Sequence, residues 1–380
     1  MNTVLVQSEA VELLSRLTGR RLNHTDVNKS VIFLSALVTM TLGVMFADGV
    51  VTESETRLLE KTIEQLVPKK GDVPVLIQLL IEGIRENPVY KNPSEWLKLT
   101  TSLSLEEKIL LISFSYEMSA VDGEIASGER EYLRATANIL KIPPQYTEVL
   151  EVWYTSKYIE NIAVWKELQN LINPKNFDYL GLRFVSLDSV ELLTRITGKK
   201  LVKSDINTII LFLTSLLTMS WGVMMADGMQ QKVEKQLLVK TIKRLIPQKD
   251  NDVRELMEIL LEKVPQSDIY QQPQEWLKLT SSLSEPEKIL LISFCYEMSA
   301  VDGEISVEER KYLHSAGSWL SIEPQYVNFL EAVFGGDGID DTVVLKRLKS
   351  IIHPDKFQEI NEIFVDAARY ILDTLEVLSF

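Results

Sequence analysis

Two long uncharged runs dominate the polarity pattern of this chain, "SVIFLSALVTMTLGVMFA" (30–47) and "INTIILFLTSLLTMSWGVMMA" (206–226). Each is long enough to cross a bilayer. Each also holds several Ser and Thr, ends at an acidic Ala-Asp-Gly turn and lacks a Lys/Arg cluster at its border, so the pattern predicts a helix buried on all sides of a bundle. After the turn the period changes. In "TESETRLLEKTIEQL" (52–66), Leu58, Leu59, Thr62, Ile63 and Leu66 form one stripe of a two-faced helix that stops at Pro68. The partner helices stop before Pro143, Pro247 and Pro324. No segment alternates with period two between hairpin turns, so the fold class is all-α.

The pattern is written twice. "VELLSRLTGRRL" (11–22) returns as "VELLTRITGKKL" (190–201), offset by 179, and "EKILLISFSYEMSAVDGEI" (107–125) returns at 287–305 with one change, offset by 180. The slip falls between "VPKKGDV" and "IPQKDNDV", a loop after each copy's second helix, where insertions are tolerated. The expected modules are 1–180 and 181–380, each with a C-terminal tail. Within each module an apolar run twice meets Asp-Gly and then an amphipathic helix, at Asp48, Asp122, Asp227 and Asp302. Ser-x-x-Glu boxes at 104–107 and 284–287 mark two more helix starts.

The string D-G-x-I-x-x-x-E is the second half of a calcium-binding EF-hand loop, but the first half is missing. With Asp122 at loop position 5 and Glu129 at position 12, positions 1 and 3 are Met118 and Ala120, which supply no side-chain oxygen. The other three sites fail in the same way. A helix junction accounts better for the pattern: glycine takes the left-handed conformation and ends the buried helix, and Thr52 or Ser306 caps the next helix with Glu55 or Glu309 closing a capping box. Ala126 and Gln231 stand where two caps are missing; there the aspartate is expected to take the amides of the helix start. No metal site is expected. The weak candidates are Asp48, Glu55, Asp122, Glu129, Asp227, Glu234, Asp302 and Glu309.

Composition narrows the function classes. The chain has 380 residues, 46% apolar and 25% charged, with net charge −14, which repels nucleic-acid phosphates and anionic lipid. A single cysteine, Cys295, lies in an apolar run and rules out an internal disulfide, and no signal pattern opens the sequence, so the cytoplasm is expected. Three scattered histidines, no Gly-rich phosphate loop, no CxxC and no HExxH leave neither an enzyme nor a cofactor expected. The six tryptophans are expected in the core.

Four turns of the form "FADGVVTESETRLL", "AVDGEIASGEREYL", "MADGMQQKVEKQLL" and "AVDGEISVEERKYL" resemble those of the TerB family of tellurite-resistance proteins, over about 25–145 and 205–325. The resemblance implies a non-enzymatic, stress-linked helical scaffold with an acidic surface and protein partners at the inner membrane. It departs in having two modules in one chain, Met229-Gln230-Gln231 at the third turn, and the tails.

The second tail, "LKRLKSIIHPDKF" (345–357), is similar to the His-Pro-Asp signature of J-domain co-chaperones, which implies Lys346, Arg347, Lys349, His353, Pro354, Asp355 and Lys356 as partner-docking residues. Copy one has Asn173-Pro174-Lys175 in that place, so a helix followed by x-Pro belongs to the module itself, and 357 onward is expected to form a closing helix. The leading expectation is a protein-binding scaffold. A J-type co-chaperone and an acidic cation-binding stress protein are the alternatives.

Overall fold

The computed structural model describes residues 8–67, 72–155, 158–180, 184–226, 228, 232–247, 250–336, 341–357 and 362–378. The chain divides into two compact units, 1–184 and 185–380. Unit 1 holds α1 (Ser8–Thr18), α2 (Lys29–Met45), α3 (Glu53–Leu66), α4 (Val73–Glu86), α5 (Pro93–Thr100) and α6 (Leu105–Ser119). It is completed by α7 (Ser127–Ile139), α8 (Pro144–Tyr154) and α9 (Ile162–Leu171). Unit 2 repeats the order with α10 (Leu187–Thr197), α11 (Thr208–Met224), α12 (Lys232–Leu245), α13 (Asn251–Lys263), α14 (Pro273–Trp276) and α15 (Glu285–Ser299). There follow α16 (Val307–Trp319), α17 (Pro324–Phe334), α18 (Thr342–Ile351) and α19 (Glu362–Leu378). Among the described residues there is no strand.

The two uncharged runs become α2 and α11, each 17 residues long and each the axis of its unit. Every residue from Val31 to Met45 is buried, as is every residue from Ile209 to Met224. Helices α4, α5, α6 and α7 surround α2; α12, α13, α15 and α16 surround α11. Hydroxyls in these helices bond back one turn, as from Thr39 to the Ser35 carbonyl (2.7 Å) and from Thr218 to the Thr214 carbonyl (2.8 Å), so they enter the core already satisfied. Burying each Val, Leu or Ile contributes about 1.5–3 kcal/mol, and this helix contributes on every side. No helix among the described residues is long and apolar enough to cross a membrane.

Local signals act where the sequence puts them. Asn28 caps α2 and Asn207 caps α11. At α6 the box is complete: the Glu107 amide donates to Ser104 Oγ (3.3 Å) and the Ser104 amide to Glu107 Oε2 (2.6 Å). That glutamate is fully buried and takes Lys29 Nζ at 2.9 Å; Thr208 stands in the place of Lys29 in unit 2. The closing helix α19 packs on α15, α17 and the Pro354–Lys356 turn. It seats Phe364 against Phe212 and Phe357, and Tyr370 against Phe294.

Candidate functional site

The four acidic corners join a buried helix to an amphipathic one. Each buried helix ends three residues before the aspartate, at Met45, Ser119, Met224 and Ser299, and the amides of Phe46, Ala120, Met225 and Ala300, residues with ordinary negative φ, donate to its last carbonyls. The glycine therefore does not terminate the helix, as the sequence suggested. It closes the turn that follows, with φ of +82° at Gly49, +93° at Gly123, +76° at Gly228 and +98° at Gly303, a region that side-chain-bearing residues rarely occupy.

Beyond the turn the glutamates act as helix-start partners. Glu55 Oε2 accepts the Thr52 amide (2.7 Å), Glu129 Oε2 the Ala126 amide (2.8 Å) and Glu309 Oε2 the Ser306 amide (2.8 Å). Thr52 and Ser306 return the bond, each hydroxyl accepting an amide at 3.2 Å. Ala126 has no oxygen to do so, and its helix starts on Glu129 alone. The aspartates serve their own turns: Asp48 accepts the Val50 amide (2.9 Å) and Asp302 the Glu304 amide (3.3 Å). These are the corners that also have a hydroxyl cap, so aspartate is no substitute for a missing one. Asp227, Met229, Gln230 and Gln231 lie outside the described residues; Glu234, one turn further, is buried.

In unit 1 the two corners face each other. Gly128, in the first turn of α7, lies so close to the first corner that a Cβ there would stand 2.9 Å from the Ala47 carbonyl oxygen and 3.3 Å from Asp48 Cα. Four carboxyls gather as a result, with Glu55 and Glu129 buried and Asp48 and Asp122 exposed. Burial lifts the Glu129 carboxyl to about 7; the Ala126 amide works against the lift, while Glu55, Asp48 and Asp122 add to it. Burial likewise raises Glu55, opposed by the Thr52 amide and hydroxyl and assisted by Asp48 and Asp122. Met118 and Ala120, the would-be first ligands of an EF-hand, point into the core. Among the described residues no group of three or more His, Cys, Asp or Glu is arranged to hold a metal ion. In unit 2 the residue in the place of Gly128 is Glu308.

The His-Pro-Asp segment repeats the geometry of its unit 1 counterpart. His353 Nδ1 accepts the Asp355 amide (3.3 Å) ahead of a short 3-10 turn, just as Asn173 Oδ1 accepts the Lys175 amide (3.1 Å). His353 is also 3.3 Å from Asp355 Oδ2, and both side chains are exposed. On α18, Lys349 is paired with Glu376 of α19 at 2.7 Å. Cys295 is buried beside Ser220 Oγ (3.7 Å), its thiol pushed up to about 12 by burial. His314 sits at the surface against Glu331.

Two surfaces escaped the sequence reading. Helix α12 presents Lys235, Lys240 and Lys243 to solvent beside a groove of about 360 Å³ floored by Leu217, Trp221, Leu238 and Pro265, with Lys235 Nζ 5.4 Å from the Trp221 ring. In unit 1, beside the first acidic corner, lies a pocket of about 350 Å³ whose walls include Phe46, Tyr90, Trp96, Tyr132 and Ile139. Its unit 2 counterpart involves Trp319, which is 41% exposed and so departs from the expectation that the tryptophans are core. Comparing the two copies position by position would have flagged both: Thr56 against Lys235, Glu64 against Lys243, Ile139 against Trp319.

Comparison with known proteins agrees with the motif. No curated protein and no solved structure matches the chain. The family model described as Tellurite resistance protein TerB matches residues 34–150 and again 213–332, covering in both units the axial helix, the two acidic corners and the helices that follow them. With more than half of its length matched and the match made twice, the chain belongs to the TerB family, as two of its helical domains in tandem.

Proposed function

We propose that this chain is a non-enzymatic scaffold whose two TerB units hold different protein partners. The observation that carries the reading is the contrast between α3 and α12. These helices occupy the same place in the repeat and bury matching residues, Leu59, Thr62 and Leu66 against Leu238, Thr241 and Leu245. Outward, Glu60 and Glu64 of α3 face Val239 and Lys243 of α12, and Lys235 replaces Thr56. A surface needed only for solubility has no reason to exchange Thr56 and Glu64 for Lys235 and Lys243, with Lys235 lining an aromatic-floored groove, in a chain of net charge −14. The partner that suits unit 2 is an amphipathic helix, its apolar stripe laid in the groove and its acidic flank over the lysines. Family membership supports, for this reading, a stress-linked role in the cytoplasm, with partners at the inner membrane.

The test is fluorescence anisotropy of the full chain with a labelled helical peptide that carries Leu on one face and Glu along its flanks. Binding should weaken with salt and fall roughly tenfold or more when Lys235, Lys240 and Lys243 are all changed to Glu. Unchanged affinity in that triple variant overturns the reading.

A further inference from the structure

The pocket beside the first acidic corner is spanned by an indole in unit 2, while in unit 1 Phe46 stacks on Tyr90 at its edge, 5.7 Å apart, and leaves the centre open. The two sites share a tyrosine and a tryptophan wall, and Met225 stands in the place of Phe46. Tyr132 stands over Gly43, where a Cβ would lie 2.0 Å from its hydroxyl, and Tyr312 stands over Gly222, where the distance would be 2.2 Å. Trp96 and Trp276 are both fully buried at the floor. The difference lies at the end of the next helix. In unit 2, Trp319 lays its indole across the site, 6.0 Å from the Trp276 ring at 65° and 6.4 Å from the Tyr312 ring at 89°. In unit 1 the same position is Ile139, a half-buried residue with no ring to span the space. What remains is an opening of about 350 Å³, the small end of the range for ligand pockets and the size for one side chain rather than a cofactor.

We propose that the unit 1 pocket receives an aromatic side chain from a protein partner, flanked in that partner by lysine or arginine. Unit 2 itself shows which group these walls hold, an indole packed edge-on against tryptophan and tyrosine. The charge at the rim supplies the flank. Phe46 and Ala47 line the pocket, and the next residue is Asp48, which is exposed, so a base adjoining the aromatic residue meets a carboxylate there. Lys91 lines the pocket as well and repels a base on its own side, so the flanking charge that counts is the one on the Asp48 side. The proposal rests on the scaffold reading and adds to it the chemistry of unit 1's partner.

The experiment uses the full chain and titrates it with acetyl-Lys-Trp-Lys-amide, followed by amide NMR shifts. Saturable shifts in the described residues around Phe46, Tyr90 and Tyr132 are expected in the wild type. Ile139→Trp, which installs unit 2's own residue, should remove them, with affinity lowered roughly tenfold or more. Trp319→Ile should open a second site and raise the stoichiometry from one to two. Equal binding of acetyl-Lys-Ala-Lys-amide, or binding that survives Ile139→Trp, overturns the pocket. N-acetyltryptophanamide binding as well as the tripeptide overturns the basic flank. Loss of the pocket by these criteria, with the α12 triple variant still defective for the acidic helix, removes this inference and leaves the scaffold reading standing; failure of both experiments removes both.

Discussion

Helices α3 and α12 show which half of a repeat is constrained. Inward they match nearly residue for residue, because each packs over the second buried helix of its own unit, α3 on α6 and α12 on α15. Outward they differ at almost every position, and the sign of the charge changes with them. The same contrast recurs at the end of the following helix pair, with Ile139 against Trp319, and inside the corners, with Gly128 against Glu308. The lesson is that doubling the module preserved one fold and gave it two surfaces. That divergence is what the scaffold proposal expects of two units with different partners.

The largest test of this contrast is steric. Gly83 on α4 lies against the end of α1, where a Cβ would stand 1.8 Å from the Leu17 carbonyl oxygen; the equivalent residue in unit 2 is Lys263, the last residue of α13. Gly83→Ala is expected to destabilise unit 1 by about 3 kcal/mol and to leave unit 2 unaffected, which amide exchange resolved by unit would show. Comparable loss in both units would mean that they do not fold independently.

A second test uses pH. The Glu129 carboxyl titrates near 7 when folded, against 4.5 for a free glutamate, so the folded unit binds the proton more tightly than the unfolded chain. Its contribution is therefore fully present below about pH 4.5 and is lost as pH rises through 7, a change of about 2–3 kcal/mol. Glu129→Gln keeps an oxygen for the Ala126 amide and carries no charge. It should match the wild type at pH 5 and stabilise unit 1 by about 2 kcal/mol at pH 8, read from thermal melts at the two values. A variant no more stable than wild type at pH 8 would show that burial, with the neighbouring carboxyls adding to it, does not hold the Glu129 carboxyl above its free range.

The smallest expected effect concerns the His-Pro-Asp turn. Because Asn173 already does in unit 1 what His353 does in unit 2, His353→Asn should change stability by less than about 0.5 kcal/mol in chemical denaturation. If the variant keeps its stability but loses stimulation of a chaperone ATPase that the wild type possesses, the turn has a role beyond structure and the co-chaperone reading returns.

Much of the fold was legible because its signals are local. The stripe on 52–66, the Ser-x-x-Glu boxes and the proline stops each act within a turn or two of helix, and the structure has them in place. Two local signals misled. The aspartate-glycine pair reads as a helix end, yet the chain leaves the helix three residues sooner, since the amide of an ordinary residue can donate to its final carbonyls. Trp319 has helical spacing and the size of a core residue, but it sits on the last turn of α16, where the side chain overhangs the bundle. What sequence could not supply was proximity. Gly128 and Ala47 are far apart in the chain, and nothing in either neighbourhood announces that their backbones touch or that four carboxyls thereby share one site.

The encasement of α2 and α11 has a consequence for how these units come apart. A rod with no solvent face cannot lose one neighbour and keep the others unchanged, because each departing helix uncovers a strip of bare hydrocarbon. Partial opening is thus disfavoured from every direction, and the innermost amides of each unit should exchange with solvent only when the whole unit unravels. A unit built this way holds its outer faces in register until it fails all at once.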